Sequence, residues 1–173
     1  MRVTLERGLF LKALNHVQSV VERRNTIPIL SNVLVQAEAV RRYQGEVGGA
    51  SPIGADEFEY PDGVFFLGYV DDLPVAMGGW RRGGPLGDTD GEIKRMFVTD
   101  DQRGQGYSRQ VLQEIERSAA RQGVTRLVLE TGTEQPEAIA LYKSAGFVEV
   151  EPFGFYADYA DSVHLAKKVE LPA

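Results

Sequence analysis

Apolar residues recur along this chain with two periods, and the switches between them outline its elements. Val3 and Leu5 alternate with polar neighbours, which predicts a short strand over residues 1–7. Leu9, Phe10, Ala13, Leu14, Val17, Val20 and Val21 then follow at helical spacing and predict an amphipathic helix over 8–22. A polar break at 22–25 and Pro28 come next. Residues 29–43 fit two patterns, a strand over 29–35 or a helix face of Val33, Ala37, Val40 and Arg41 reaching Tyr43. Residues 45–62 are read as a long polar loop containing Gly and Pro.

Beyond this point the pattern sharpens. Residues 64–70 predict a strand, Asp71-Asp72 a turn, and 74–80 the returning strand of a hairpin. The glycine-rich stretch 81–91 is read as a mobile loop, and 92–98 as the next strand. Leu112, Ile115 and Ala119 stripe a helix over 109–121 that Gly123 ends. Leu127, Val128 and Leu129 mark a buried strand over 126–131. Pro136 suits a first helical turn, and Ala138, Leu141, Tyr142 and Ala145 carry that helix to Gly146. Residues 147–150 and 162–169 complete the strands. A hairpin, a third strand and then a βαβ unit imply an α/β (α+β) domain, with a mixed sheet carrying helices on its faces.

The junction between the strand at 92–98 and the following helix reads Arg103-Gly104-Gln105-Gly106-Tyr107-Ser108. Glycines permit a tight turn and close approach of a ligand to the backbone. The helix start adds unpaired N–H groups and the positive end of a dipole. Such a turn can seat a pyrophosphate, and it can equally be a plain strand-to-helix connection. The three-glycine spacing of a dinucleotide fold is missing, and no Gly-Lys-Ser/Thr follows for a P-loop.

Composition narrows the chemistry. The 173 residues carry a net charge of -6, which argues against broad nucleic-acid binding. Cysteine is absent, so disulfides, thiolate metal sites and thiol nucleophiles are out, and His16 and His164 lie too far apart in sequence for a helical metal motif. No metal is expected. No apolar run reaches the length of a membrane span, and the N-terminus lacks a signal-peptide core, so a cytoplasmic protein is expected.

Two motifs in order carry a resemblance. Arg103-x-x-Gly106-x-Ser108 is similar to the Arg/Gln-x-x-Gly-x-Gly/Ala cofactor motif of the GNAT family of acetyl-CoA-dependent N-acetyltransferases, with serine in the last place. Gln135-Pro-Glu-Ala138-Ile-Ala-Leu-Tyr142-Lys-Ser-Ala-Gly146-Phe147 resembles that family's Asn-x-x-Ala-x-x-x-Tyr-x-x-x-Gly-Phe segment, with Gln135 replacing Asn. The resemblance covers about residues 36–170 and implies a mostly antiparallel sheet with a splay after the strand 92–98.

It also implies roles. Acetyl-CoA would be the co-substrate, its pyrophosphate taking N–H groups of Arg103, Gly104, Gln105, Gly106, Tyr107 and Ser108, with Arg103 and Arg109 either adding charge or simply solvated. The backbone of Met96, Phe97 and Val98 would pair with the pantetheine and acetyl carbonyl. Glu92, eleven residues before Arg103, would be the general base; otherwise it is a solvated residue at the strand start or pairs with Lys94 or Arg95 across the surface. Tyr142 would protonate the departing thiolate; otherwise it packs its ring on a helix face. For the acceptor the candidates are Trp80, Arg81, Arg82, Glu130, Phe155, Tyr156 and Tyr159, and the aromatic run 153–159 is either a pocket wall or an ordinary connection. A small, amino-acid-like amine is the preferred acceptor, and a homodimer is left open.

The opening 39 residues resemble something else. Met1-Arg-Val-Thr-Leu-Glu-Arg7, Leu11-Lys-Ala-Leu14 and Arg23-Arg-Asn-Thr-Ile-Pro-Ile-Leu-Ser-Asn-Val-Leu34 are similar to the start of the bacterial replicative sliding clamp, the beta subunit of DNA polymerase III. The remaining length cannot hold the later clamp domains. A fusion or chimera is implied, divided as 1–39 and 40–173, with the clamp-like piece filling the acetyltransferase's first strand–helix slot. The expected function is acetyl transfer from acetyl-CoA to a primary amine. The alternatives are a clamp-derived module binding replication proteins and an inactive CoA-binding sensor.

Overall fold

A computed structural model of the chain describes residues 56–71 and 73–170. The expected strand over 1–7, the helix over 8–22, the two patterns for 29–43 and the clamp-like piece in the first strand–helix slot lie outside the described residues.

The described residues form a six-stranded sheet in the order β1-β2-β3-β4-β6-β5. Its strands are β1 (Gly63–Val70), β2 (Leu73–Arg82), β3 (Asp90–Val98), β4 (Arg126–Gly132), β5 (Val148–Glu149) and β6 (Ser162–Lys168). Helix α1 (Tyr107–Arg121) joins β3 to β4, and α2 (Pro136–Ser144) joins β4 to β5. Only the β3–β4 pair is parallel; the other neighbours run antiparallel. The mixed, mostly antiparallel sheet follows from a hairpin feeding a crossover through α1.

Each element has a local cause. Val70 pairs with Leu73 across the two-residue turn, and Asp71 adopts φ +48°, a left-handed conformation that aspartate tolerates. Val111, Leu112, Ile115 and Ala119 give α1 one buried face, and Gly123 leaves it at φ +77°. Pro136 opens α2 where no N–H partner is needed.

One side of the sheet is apolar. Trp80, Ile93, Leu127, Leu129 and Leu165 are fully buried there with Leu112 and Ile115 of α1. Burying side chains of this size contributes about 1.5–3 kcal/mol each. Lys167 pairs with Glu116 at 2.7 Å and ties β6 to α1 on this side.

Two expectations change. Stretch 81–91 is not a free loop: Arg81 and Arg82 extend β2, and Asp90 and Gly91 start β3. The turn between them is pinned by Asp90, which is completely buried. Asp90 accepts from Arg126 Nε at 2.8 Å and Nη2 at 2.7 Å and from the Leu86 N–H at 2.8 Å. Burial alone would push the Asp90 carboxyl up, but the Arg126 fork and the Leu86 N–H hold it below its usual value. The polar stretch before β1 also supplies a core residue. Phe58, 6% exposed, meets Phe65 edge-on at 5.4 Å.

Candidate active site

The parallel pair is short, and that shortness makes the site. Strands β3 and β4 pair only at Asp90–Arg126, Gly91–Leu127 and Glu92–Val128. Beyond them β3 follows β2 while β4 follows β6. From Ile93 onward, two strand edges face each other across a wedge, each presenting backbone N–H and C=O groups that have no ladder partner on that side among the described residues.

A β-bulge opens the wedge. Met77 pairs with Phe97 but Gly79 pairs with Lys94, so β3 carries one extra residue. Arg95 takes the strain at φ +59°. Gly78 lies opposite, and a Cβ there would stand 2.3 Å from the Met96 sulfur. Glycine is therefore what lets Met96 fold inward beside Val111. Met96 and Val98 pack against the core, while their backbone lines the wedge. Phe97 lies 6.0 Å from the Arg103 guanidinium.

The glycine turn stands where β3 hands over to α1. Gly104 and Gly106 adopt φ +79° and +85°, and nothing occupies the space where their Cβ atoms would lie. Gly106 caps α1, and its carbonyl takes the N–H groups of Arg109 and Gln110. Among the described residues, the N–H groups from Gly104 to Ser108 donate to no backbone carbonyl. This open cradle of donors at a helix start suits a pyrophosphate. The arginines beside it are engaged. Arg103 pairs with Asp100 at 3.0 Å and donates to the Val98 carbonyl at 3.3 Å, and Arg109 donates to Ser144 Oγ at 2.6 Å.

The other side of the sheet is charged around the wedge. Glu92 is 7% exposed. Its Oε2 accepts from Arg81 Nε at 3.0 Å and Nη2 at 2.7 Å, and its Oε1 lies 2.8 Å from Lys94 Nζ. Arg81 also pairs with Glu57. Two residues past the last β3–β4 pair, Glu130 accepts from Ser162 Oγ at 3.1 Å and lies opposite His164 on β6. Burial holds the Glu130 carboxyl above its usual value, Lys94 and Ser162 oppose this, and Glu92 and Asp161 push it further up.

Tyr142 on α2 is 5% exposed and meets Phe147 edge-on at 5.6 Å. Burial raises its phenol well above the ordinary tyrosine value, and the Glu130 charge raises it further. The phenol therefore stays protonated at neutral pH and holds a proton it can give.

The remaining acceptor candidates separate. Trp80 is fully buried on the helix side, with Nε1 donating to Ser118 Oγ at 3.1 Å, so it is a core residue remote from the charged face. Arg82 binds Asp62, Asp88 and Gln122 and holds the β2–β3 turn. Phe155, Tyr156 and Tyr159 form a ring cluster beside the wedge, Lys94 lying 5.8 Å above the Tyr156 ring. His164, singled out in the sequence only to dismiss a metal motif, is 4% exposed beneath this loop, and its Nδ1 accepts the Phe153 N–H at 3.4 Å. The signal for this face was present in the sequence as polar residues at alternate positions of apolar strands: Glu92 and Lys94, Glu130, Ser162 and His164. Among the described residues no His, Cys, Asp and Glu cluster has metal-site form, and no helix is long and apolar enough to cross a membrane.

A sheet split between β3 and β4, a donor-rich turn where β3 meets α1, and the carboxylates Glu92 and Glu130 on the charged face make up the candidate site. The chain matches the acetyltransferase (GNAT) family over residues 36–147 and belongs to that family. An uncharacterised N-acetyltransferase of Bacillus subtilis, YsnE, is 33% identical over 119 residues, covering 68% of this chain and 77% of that protein. The IAA acetyltransferase of Azospirillum brasilense is 43% identical over 77 residues, 44% of this chain and 50% of that protein. A GNAT-family acetyltransferase structure from Staphylococcus aureus shares the fold at TM-score 0.70 and 14% identity, over 87% of this chain and 98% of that one. Residues 1–41 match the N-terminal domain of the DNA polymerase III beta subunit. They are similar to the beta sliding clamp of Caulobacter vibrioides at 71% identity over 41 residues, 24% of this chain but 11% of the clamp. The two family matches meet at residues 36–41, consistent with a chimeric chain. The chain thus spans about a tenth of the clamp's length and half that of the IAA acetyltransferase.

Proposed function

We propose that this chain transfers the acetyl group of acetyl-CoA to a primary amine of a small molecule by direct attack. The observation that carries this reading is the wedge between β3 and β4, which opens at Ile93 with free amides at one mouth and carboxylates at the other. Acetyl-CoA supplies an activated acyl group as a thioester. The N–H groups from Gly104 to Ser108 would hold its pyrophosphate, and the wedge edge from Met96 to Val98 would pair with its pantetheine and polarise its carbonyl. Residues 1–39 are a clamp-derived lead segment in this reading, and residues 40–173 the transferase.

The base is better sought at Glu130 than at Glu92. Both oxygens of Glu92 are taken by Arg81 and Lys94. Glu130 keeps one oxygen without a hydrogen-bond partner among the described residues, lies beside the wedge, and has its carboxyl raised by burial, which makes it a stronger base. Glu130 takes the proton from the amine, directly or through water, as nitrogen bonds to the carbonyl carbon. The C–S bond then breaks, and the thiolate takes the proton of the Tyr142 hydroxyl.

Thiol release from acetyl-CoA with a panel of primary amines tests this. Turnover that falls about 10²-fold or more in Tyr142→Phe and Glu130→Gln, and less in Glu92→Gln, supports it. Tight acetyl-CoA binding with no turnover on any amine favours a CoA sensor. Absence of acetyl-CoA binding favours a clamp-derived binding module.

A further inference from the structure

Phe155 and Tyr159 lie near-parallel, 25° apart at 6.3 Å, and Tyr156 meets both edge-on at 4.9 and 5.4 Å. Phe155 is 52% exposed and Tyr159 41% exposed. A group of rings left facing water is costly and marks a recognition surface. This one is tied to the candidate chemistry at both ends. Lys94 lies 5.8 Å above the Tyr156 ring and 2.8 Å from Glu92. The buried His164, strand partner of Glu130, anchors the loop base by accepting the Phe153 N–H and meeting the Phe153 ring at 4.9 Å.

The charges say what else the acceptor carries. Glu92 and Glu130 favour an ammonium. Among the described residues, Arg81 and Lys94, the cations flanking them, are already engaged by Glu57 and Glu92 rather than held open for a substrate carboxylate. An amine bearing a flat apolar group fits this surface better than a zwitterionic amino acid does. The ring would lie on Phe155 and Tyr159, and its amine would point past Tyr156 to Glu130.

We propose that the loop from Phe153 to Tyr159 is the acceptor-recognition element, selecting primary amines that carry an aromatic ring. The proposal rests on the acetyltransferase reading and names its substrate class. Binding of 2-phenylethylamine and of n-butylamine to the full chain, saturated with CoA, is measured by titration calorimetry, separately from turnover. The expected result is binding of 2-phenylethylamine about tenfold tighter than of n-butylamine. The preference should collapse to within about twofold in Phe155→Ala/Tyr156→Ala, with acetyl-CoA affinity unchanged. Phe155→Leu, an exposed single change that keeps the apolar surface but removes a π face, carries the test if the double variant loses acetyl-CoA binding; it should lose most of the preference. Equal binding by the unaltered chain, or an undiminished preference in these variants, overturns the proposal. Thiol release read in parallel separates the two claims. Selective binding without turnover counts against the transfer reading and leaves the recognition loop standing. Turnover of both amines with equal affinity does the reverse.

Discussion

The two faces of the sheet use neighbouring residues for opposite purposes. Leu129 is sealed in the core while Glu130, next along β4, faces the wedge. Trp80 and Arg81, Ile93 and Glu92, and Leu165 and His164 divide the same way. The helix side gains stability by excluding water. The charged side keeps carboxylates and cations in mutual contact, an arrangement worth little for stability when partly exposed and useful when a proton must move. A one-residue slip of register would exchange the faces and destroy both.

The most demanding test of this division sets Glu130→Gln against Leu129→Ala. Glu130→Gln should lower kcat/KM by about 10²–10⁴-fold with the thermal midpoint almost unmoved. Leu129→Ala should cost about 2–5 kcal/mol of unfolding free energy in urea, with the remaining folded protein still turning over. Matching losses of activity and stability in both variants would erase the distinction.

The next test concerns Asp90, a charge buried completely at the foot of the wedge. Arg126→Ala leaves that carboxylate without its fork and should cost about 3–5 kcal/mol. The Asp90 pKa is lowered in the folded chain. Its contribution is therefore complete above the unfolded aspartate value of about 3.9 and is lost as pH falls through the lower folded value. Urea midpoints measured from pH 5 downward should decline in the unaltered chain, and less steeply in Arg126→Ala.

A smaller effect is expected at the bulge. Gly78→Ala places a methyl into the Met96 sulfur and should cost about 1–3 kcal/mol. Because Met96 must move, acetyl-CoA affinity should fall along with stability. A stable Gly78→Ala protein with unchanged acetyl-CoA affinity would mean that the wedge does not depend on this fit.

Much of this was legible in the chain. The hairpin, β3, α1, β4 and α2 follow from periodicity, and the glycine turn lies where the strand hands over to the helix. Tyr142 could be located from its motif. Trp80 could not be assigned, because alternation says that Trp80 and Arg81 face opposite ways but not which way is inward. The stretch 81–91 looked mobile because glycine dominates its composition, whereas long-range bonds from Asp90 to Arg126 and Leu86 hold it. Phe58 was hidden in a polar stretch for the same reason, since its partner Phe65 belongs to β1.

By itself the sequence determined most of the elements among the described residues, their order, the glycine turn and the family, because those depend on residue types at short and fixed spacing. Only the tertiary structure decided where β3 and β4 part, that Glu92 is held between Arg81 and Lys94 while Glu130 keeps an open oxygen, and that an aromatic loop stands beside them. The physical reason is range. The bulge at Arg95 depends on Gly78 and Met96 meeting across strands, and Glu130, Ser162 and His164 meet only when β4 pairs with β6.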